Sequence, residues 1–359
     1  SLAMEKALKF FSVIVDVHHA GTAMRFLTAF FATQENRVVV LTGTSRMQER
    51  PIHILVDALK ILGADIQYLN QEGFPPLKIK GRKLQSNKIA IPANISSQYI
   101  SALLLIAPKL ENGLTLELIG EQTSLPYIKM TLALLNEIGI ETTFVGNQIQ
   151  VLPKQKIEHK TITVESDWSS ASYFFELIAF SEIGTSLKIQ KLKSNSLQAD
   201  RAVVEIFEQF GVETQFLPNS EIQITKVNNQ LPTEINLNLI ESPDIAQTIA
   251  VTCFGLGIKA NLTGLHTLKI KETDRLVALK NELEKFGAIV EITKDSLFLH
   301  ERNLQNVLPE NVLVKTYQDH RMAMAFAPLA LFTALEIENA EVVSKSYPKF
   351  WDDVFSLFL

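Results

Sequence analysis

Residues 21–32, GTAMRFLTAFFA, open on glycine and threonine and then turn apolar, and the same progression returns four more times. Its copies begin at Ser96 (SSQYISALLLIA), Ser169 (SSASYFFELIAF), Pro243 (PDIAQTIAVTCF) and Asp319 (DHRMAMAFAPLA), at steps of 75, 73, 74 and 76 residues. Between them recurs an amphipathic stretch that closes on a glycine and a β-like run: Gly63 (LGADIQYL), Gly139 (IGIETTF), Gly211 (FGVETQF) and Gly287 (FGAIVEI). Such regularity means one supersecondary unit used several times. In the amphipathic stretches Ile54, Leu55, Ala58, Leu59 and Leu62 form one apolar stripe, and Leu276, Leu279, Leu283 and Phe286 another. The spacing predicts surface helices with one buried face, each closed by a left-handed glycine. The alternation Ala64, Ile66, Tyr68 and the pair Ile289, Glu291 predict strands after the glycines. The first kind of segment is apolar nearly all round and predicts helices buried at the centre. Strands at 38–41, 149–152, 187–189 and 222–224 fill the gaps, so each unit is βαβαββ, an α/β fold with sheets outside and buried helices inside.

At 359 residues the chain calls for two domains rather than one core. Counting repeats puts the boundary near 163–165, after an expected strand at 161–164. That gives a first domain of 1–163 with about two of three units and a second, 164–359, with two and a half to three. With 47% apolar and 20% charged residues the composition is globular. A net charge of −5 without blocks of like charge argues against a nucleic-acid partner. The longest apolar run, 322–335, is short of the roughly 20 residues a membrane span needs. Asp16 interrupts the first apolar run, so no signal peptide is expected. The single cysteine, Cys253, lies in an apolar run and reads as a structural thiol. With no partner in the chain for a disulfide, it suits a reducing cytoplasm. No Cys/His set has metal-ligand spacing.

Nine of the 34 basic residues are arginines, and six of the nine (Arg25, Arg46, Arg50, Arg201, Arg275, Arg321) fall at or just before the starts of repeat helices. A cation is mildly unfavourable there, because a helix N-terminus is already partly positive. The planar guanidinium grips phosphate or carboxylate with two hydrogen bonds, and free helix N–H groups add to that grip. Parallel buried helices whose starts converge would make a deep site for a small ligand with several negative charges. The bland alternative pairs each arginine with a nearby acid such as Glu49 or Asp274. Ser96, Ser97 and Gln98 offer more than the single hydroxyl a cap needs, whereas Ser169 and Ser170 read as a cap. Asp244 after Pro243 suits a cap or a base. Glu272, among cations in KETDR, suits a salt bridge or a proton carrier. His320 suits a cap position or the site, and Lys345 alone reads as a surface lysine.

Taken together, AGTAMR (20–25), ERPI (49–52), SSQ (96–98), SLPY (124–127), SSASY (169–173), PD (243–244), KETDR (271–275), DHRMAM (319–324) and KSYP (345–348) resemble the 3-phosphoshikimate 1-carboxyvinyltransferase (EPSP synthase) family over nearly the whole chain. The resemblance implies two domains of three βαβαββ units each. It implies transfer of the enolpyruvyl group of phosphoenolpyruvate to the 5-hydroxyl of shikimate 3-phosphate with release of phosphate, a step toward aromatic amino acids, with no metal or organic cofactor. It assigns phosphoenolpyruvate to Gly21, Arg50, Gln98, Arg275, Arg321 and Lys345. It assigns shikimate 3-phosphate to Ser96, Ser97, Gln98, Ser124, Tyr127, Asp244, Thr267 and Lys271, with Thr22 and Arg25 close by. Thr267 stands where the family often has asparagine. Asp244 would take the hydroxyl proton. Glu272, with Lys345 and His320, would supply and later remove the methyl proton. The arginines would stabilise the intermediate electrostatically, and domain closure would exclude water.

The family also has an earlier buried helix starting Lys-Ser-x-Ser-x-x-Arg, with no counterpart here, and His18–His19 replaces a Gly-Asn-like pair. The expectation is a folded but nearly inactive monomer, with dimerisation through the truncated face as an alternative. The rival enzyme is UDP-N-acetylglucosamine enolpyruvyl transferase, whose mobile-loop cysteine Cys253 does not match. The rival of another class is a non-catalytic anion-binding fragment.

Overall fold

A computed structural model of the chain describes residues 2–9, 12–93, 97–120 and 125–357. The chain divides into two compact units, Ser1–Ile162 and Thr163–Leu359. The first opens with α1 (Leu2–Lys9), β1 (Ile14–Asp16), α2 (Gly21–Ala32), β2 (Val38–Thr42), a one-turn α3 (Ser45–Gln48), α4 (His53–Ile61), β3 (Asp65–Tyr68) and β4 (Leu77–Lys80). A second pass follows as β5 (Lys88–Pro92), α5 (Ser97–Ile106), β6 (Leu114–Ile119), α6 (Leu125–Glu137), β7 (Thr142–Val145) and β8 (Gln148–Val151). The sheets run β1-β2-β4-β3 and β5-β6-β8-β7. In each, the first pair is parallel and the rest antiparallel. This is the βαβαββ unit that the repeat predicts.

The second unit continues with α7 (Trp168–Phe180), β9 (Ser186–Gln190), α8 (Val203–Glu208), β10 (Val212–Leu217) and β11 (Glu221–Lys226). Next come β12 (Glu234–Asn238), α9 (Ala246–Leu256), β13 (Lys259–Thr263), α10 (Arg275–Lys285), β14 (Val290–Ile292) and β15 (Leu297–Leu299). A last pass holds β16 (Val312–Val314), α11 (His320–Phe326), β17 (Leu335–Ile337) and α12 (Phe350–Phe355). The sheet β12-β13-β15-β14 repeats the strand order of the first unit, while β10-β11-β9 has three strands and β16-β17 two.

The expected strand at 161–164 is absent: these residues are exposed and lie outside any ladder. A β-branched alternation supplies propensity, but a strand needs a partner edge. The backbone bond from Ser166 N to Lys191 O, at 2.7 Å, forms just past the end of β9. A second correction concerns phase. β14 begins at Val290, which is buried, while Ile289 is exposed.

The predicted inner helices are buried as their composition requires. In α5 Ile100, Leu103 and Leu104 are fully buried, and each such side chain contributes about 1.5–3 kcal/mol of hydrophobic stabilisation. In the second unit α9 packs against α7 and α11, and Ser172 of α7 and Thr248 of α9 share a hydrogen bond of 2.9 Å. The outer helices end as predicted, with Gly63, Gly139, Gly211 and Gly287 at φ of 107, 82, 74 and 88°. At Gly211 a Cβ would come within 2.1 Å of the Asn228 carbonyl oxygen, so glycine is required twice over. Each unit has its own core, and no helix among the described residues is long and apolar enough to cross a membrane.

Candidate anion-binding active site

In the first unit the starts of α2 and α5 lie together, with Gln98 Nε2 donating to Thr22 Oγ1 at 3.1 Å. Arg25, buried on α2, turns back to donate from Nη1 to the Gly21 carbonyl at 3.0 Å. A Cβ built on Gly21 would meet Arg50 Nη1 at 2.8 Å and Arg25 Nη1 at 3.0 Å. Two guanidinium groups therefore converge on one helix start because its first residue has no side chain. Tyr99 Oη donates to the Pro51 carbonyl at 2.7 Å and ties the segment bearing Arg50 to α5. Ser97 opens α5, and Tyr127 lies half-buried in the first turn of α6. Ser96 and Ser124 lie outside the described residues.

The second unit holds a denser cluster. Arg275, the first residue of α10, is 2% exposed and is met by three carboxylates. Its Nε donates to Asp319 Oδ2 at 2.7 Å, its Nη1 to Asp244 Oδ1 at 2.9 Å and its Nη2 to Glu272 Oε2 at 2.9 Å. Arg321, on the first turn of α11, donates to Asp244 twice, from Nη1 to the backbone oxygen at 3.0 Å and from Nη2 to Oδ2 at 3.1 Å. Lys271 Nζ stands 3.4 Å from Asp244 Oδ1. Burial alone would raise the Asp244 pKa, but Arg321, Lys271 and Arg275 together outweigh it and hold the carboxyl well below the usual range. The same pairing overcomes burial at Arg275 and Arg321 and raises both. Burial, with Arg321 beside it, pulls His320 down to about 4, so its ring is neutral at pH 7.

Lys345 Nζ donates to the Gln318 carbonyl at 2.7 Å. It thereby pins a turn in which Tyr317 and Gln318 both take left-handed φ, 53° and 58°, immediately before Asp319. Glu282, buried in α10, accepts from Tyr317 Oη at 2.7 Å and from Lys315 N at 2.9 Å and holds the same turn. The Thr267 hydroxyl is buried and has no hydrogen-bond partner among the described residues.

Four of the six arginines at helix starts thus fall into two clusters, Arg25 with Arg50 and Arg275 with Arg321. The other two follow the bland reading: Arg46 pairs with Glu49 at 2.8 Å and Arg201 with Glu205 at 2.6 Å, both toward solvent. Asp274 does not pair with Arg275; its side chain caps α10 by accepting from Leu276 N and Val277 N. Ser169 and Ser170 are not the cap of α7. Asp167 is, since a carboxylate answers the free N–H groups of both serines. Sequence reasoning gave Asp319 no role, yet it is fully buried, grips Arg275 and caps α11 through Arg321 N. The available signal was electrostatic, since a buried guanidinium needs a charge partner and acceptors for its five N–H donors. Among the described residues no group of His, Cys, Asp and Glu is placed to hold a metal ion.

A family model for EPSP synthase (3-phosphoshikimate 1-carboxyvinyltransferase) matches residues 4–354. The 3-phosphoshikimate 1-carboxyvinyltransferase of Bacteroides fragilis is 45% identical over 355 residues, covering 98% of this chain and 85% of that protein. Its namesake from Haemophilus influenzae is 37% identical over 346 residues, 93% of this chain and 77% of that protein. A solved EPSP synthase from Acinetobacter baumannii superposes with a TM-score of 0.76 over 96% of this chain and 79% of that one; at 22% identity this speaks for the fold. With a family model matching nearly its whole length and relatives that share more than a third of their residues with it, the chain belongs to the EPSP synthase (3-phosphoshikimate 1-carboxyvinyltransferase) family.

Proposed function

We propose that this chain transfers the enolpyruvyl group of phosphoenolpyruvate to the 5-hydroxyl of shikimate 3-phosphate and releases inorganic phosphate, as a cytoplasmic enzyme. The observation that carries the reading is the pair of arginine forks, Arg275 and Arg321, closed on the single carboxylate of Asp244. As these contacts stand, Asp244 answers three cations and is a weak base. A phosphate or carboxylate binding to the two arginines draws them off, leaves Lys271 as the near cation, and lets the Asp244 pKa climb toward a useful range.

Asp244 then accepts the proton of the 5-hydroxyl as its oxygen bonds to the second carbon of phosphoenolpyruvate. Glu272, with Lys345, gives a proton to the methylene carbon. Phosphate leaves with the proton that Asp244 took from the hydroxyl, and a methyl proton returns to Glu272, so both carboxyl groups regain their starting states and atoms and charge balance. His320, neutral at pH 7, serves as a hydrogen-bond partner rather than as a charged acid. Arg275 and Arg321 hold donor anions and stabilise the tetrahedral adduct. Lys345, Arg50, Gly21 and Gln98 complete the phosphoenolpyruvate contacts. Ser96, Ser97, Gln98, Ser124, Tyr127, Thr267 and Lys271 take the shikimate 3-phosphate, with Thr22 and Arg25 beside them.

Phosphate release assayed with both substrates tests this. Release should require both, and Asp244→Asn should lower kcat by about 10²-fold or more. Release with UDP-N-acetylglucosamine in place of shikimate 3-phosphate, or none with either acceptor, would refute it.

A further inference from the structure

Behind Arg321 lies a group that the reading above leaves unused. Asp200, on the 3-10 turn Ala199–Ala202, is 2% exposed and accepts a hydrogen bond at Oδ2 from the Ser169 hydroxyl. Its other oxygen, Oδ1, is buried and has no hydrogen-bond partner among the described residues. Ser169 opens the first turn of α7 and is itself 5% exposed. Its oxygen also accepts from Arg321 Nη2 at 3.3 Å, the nitrogen that reaches Asp244 Oδ2.

The turn that carries Asp200 is fixed from the other side. Gln198 accepts from Trp168 N at 2.9 Å and donates to the Ser166 carbonyl at 2.8 Å. Glu165 accepts from Trp168 Nε1, Lys193 N and the Ser196 hydroxyl, each at 2.8 Å. Its neighbour Arg201 points elsewhere, toward Glu205 and over the Phe216 ring.

Burial, with Asp244 nearby, pushes the Asp200 pKa up to about 7, so its carboxylate form prevails only above that pH. In that form it only accepts, whereas a hydroxyl has one proton and two lone pairs. Asp200 therefore claims the Ser169 proton and turns the serine lone pairs toward Arg321. A buried acid with one oxygen unanswered is a poor way to stabilise a core, since an apolar side chain of similar size does better. We propose that Asp200 is a positioning residue: acting through Ser169, it sets the direction of the Arg321 fork and hence the affinity for the anionic group that fork holds. The inference rests on the function proposed above, with Arg321 as a phosphoenolpyruvate contact.

The test compares Asp200→Ala, Asp200→Asn and Ser169→Ala with the unaltered chain. Initial rates should show the KM for phosphoenolpyruvate raised about 10-fold in Asp200→Ala and Ser169→Ala, with the KM for shikimate 3-phosphate within about twofold. Because the two residues act in series, the double variant should be no worse than either single one. Asp200→Asn, whose amide oxygen still accepts the serine proton, should recover most of the loss and keeps the test alive if the alanine variant does not fold. An unchanged KM for phosphoenolpyruvate in the folded variants, equal rises in both KM values, or full additivity would overturn the inference. If the unaltered chain turns nothing over, the functional reading falls, and crystal structures of the unaltered chain and Ser169→Ala decide the inference by themselves. A guanidinium of Arg321 swung away from Asp244 supports it, and an unmoved one overturns it.

Discussion

At the scale of single residues, charge pairing rather than position decides what each group does. His320 shows this through pH. Burial, then Arg321, lowers its pKa from 6.5 to about 4. Between those values the unfolded chain binds a proton that the folded chain refuses, so stability is complete above pH 6.5 and is lost as pH falls toward 4. We expect the unaltered chain to lose about 2 kcal/mol more than His320→Asn between pH 7.5 and pH 5 in urea unfolding. Equal losses would show that the ring titrates as in water. Gly21 shows the same rule through space. Its missing Cβ leaves room for Arg50 and Arg25, whose far ends can move. Gly21→Ala should therefore fold normally while the KM for phosphoenolpyruvate rises about 10-fold through displacement of Arg50; a lowered melting temperature with unchanged KM would contradict this. The sequence could flag Arg275 and Arg321 but could not separate them from Arg46 and Arg201, which occupy equivalent places. What separates them is distant acids: Asp319, brought to Arg275 from 44 residues further along the chain, and Asp244, brought to Arg321 from 77 residues back. No local spacing carries that information.

At the scale of elements, the inner helices and their glycine-closed outer partners were legible because each follows from local composition: a polar start, an apolar body, a left-handed glycine. The stretch 161–164 was not, because its fate depends on whether an edge accepts it. One inner helix also breaks its own rule. Glu176 sits fully buried in α7, and neither carboxylate oxygen has a hydrogen-bond partner among the described residues. Burial raises its pKa well above the ordinary value, so the folded chain holds it protonated and neutral. For this group the sign is opposite to that of His320. Above pH 4.5 the unfolded chain gives up the proton, and stability falls as pH rises toward the folded pKa. Glu176→Met should therefore gain on the unaltered chain as pH rises. At pH 8 we expect a melting temperature higher by about 3 °C, the shift that roughly 1 kcal/mol gives a unit of this size. A gap that stays constant from pH 5 to pH 8 would mean that burial is not what holds the proton.

At the scale of the whole molecule, the repeat accounts for the two cores: one gathers residues from Ala7 to Val151, the other from Trp168 to Val354, with none in common. Residues 152–164 between them are exposed and carry no regular structure. Linkers of this kind are where proteases cut, whereas buried helices and paired strands resist. The segment offers trypsin three lysines, Lys154, Lys156 and Lys160. Brief digestion should therefore cleave first there and leave two fragments that persist while the linker is trimmed. Because hydrophobic burial is complete within each core, both fragments, once separated, should keep their far-UV circular dichroism and unfold cooperatively. Mass spectrometry of the first products and a urea titration of each fragment check this. Early cuts inside α4 or α10, or a fragment that unfolds without a transition, would mean that the two cores depend on one another and that the boundary between the units is the wrong place to divide the chain.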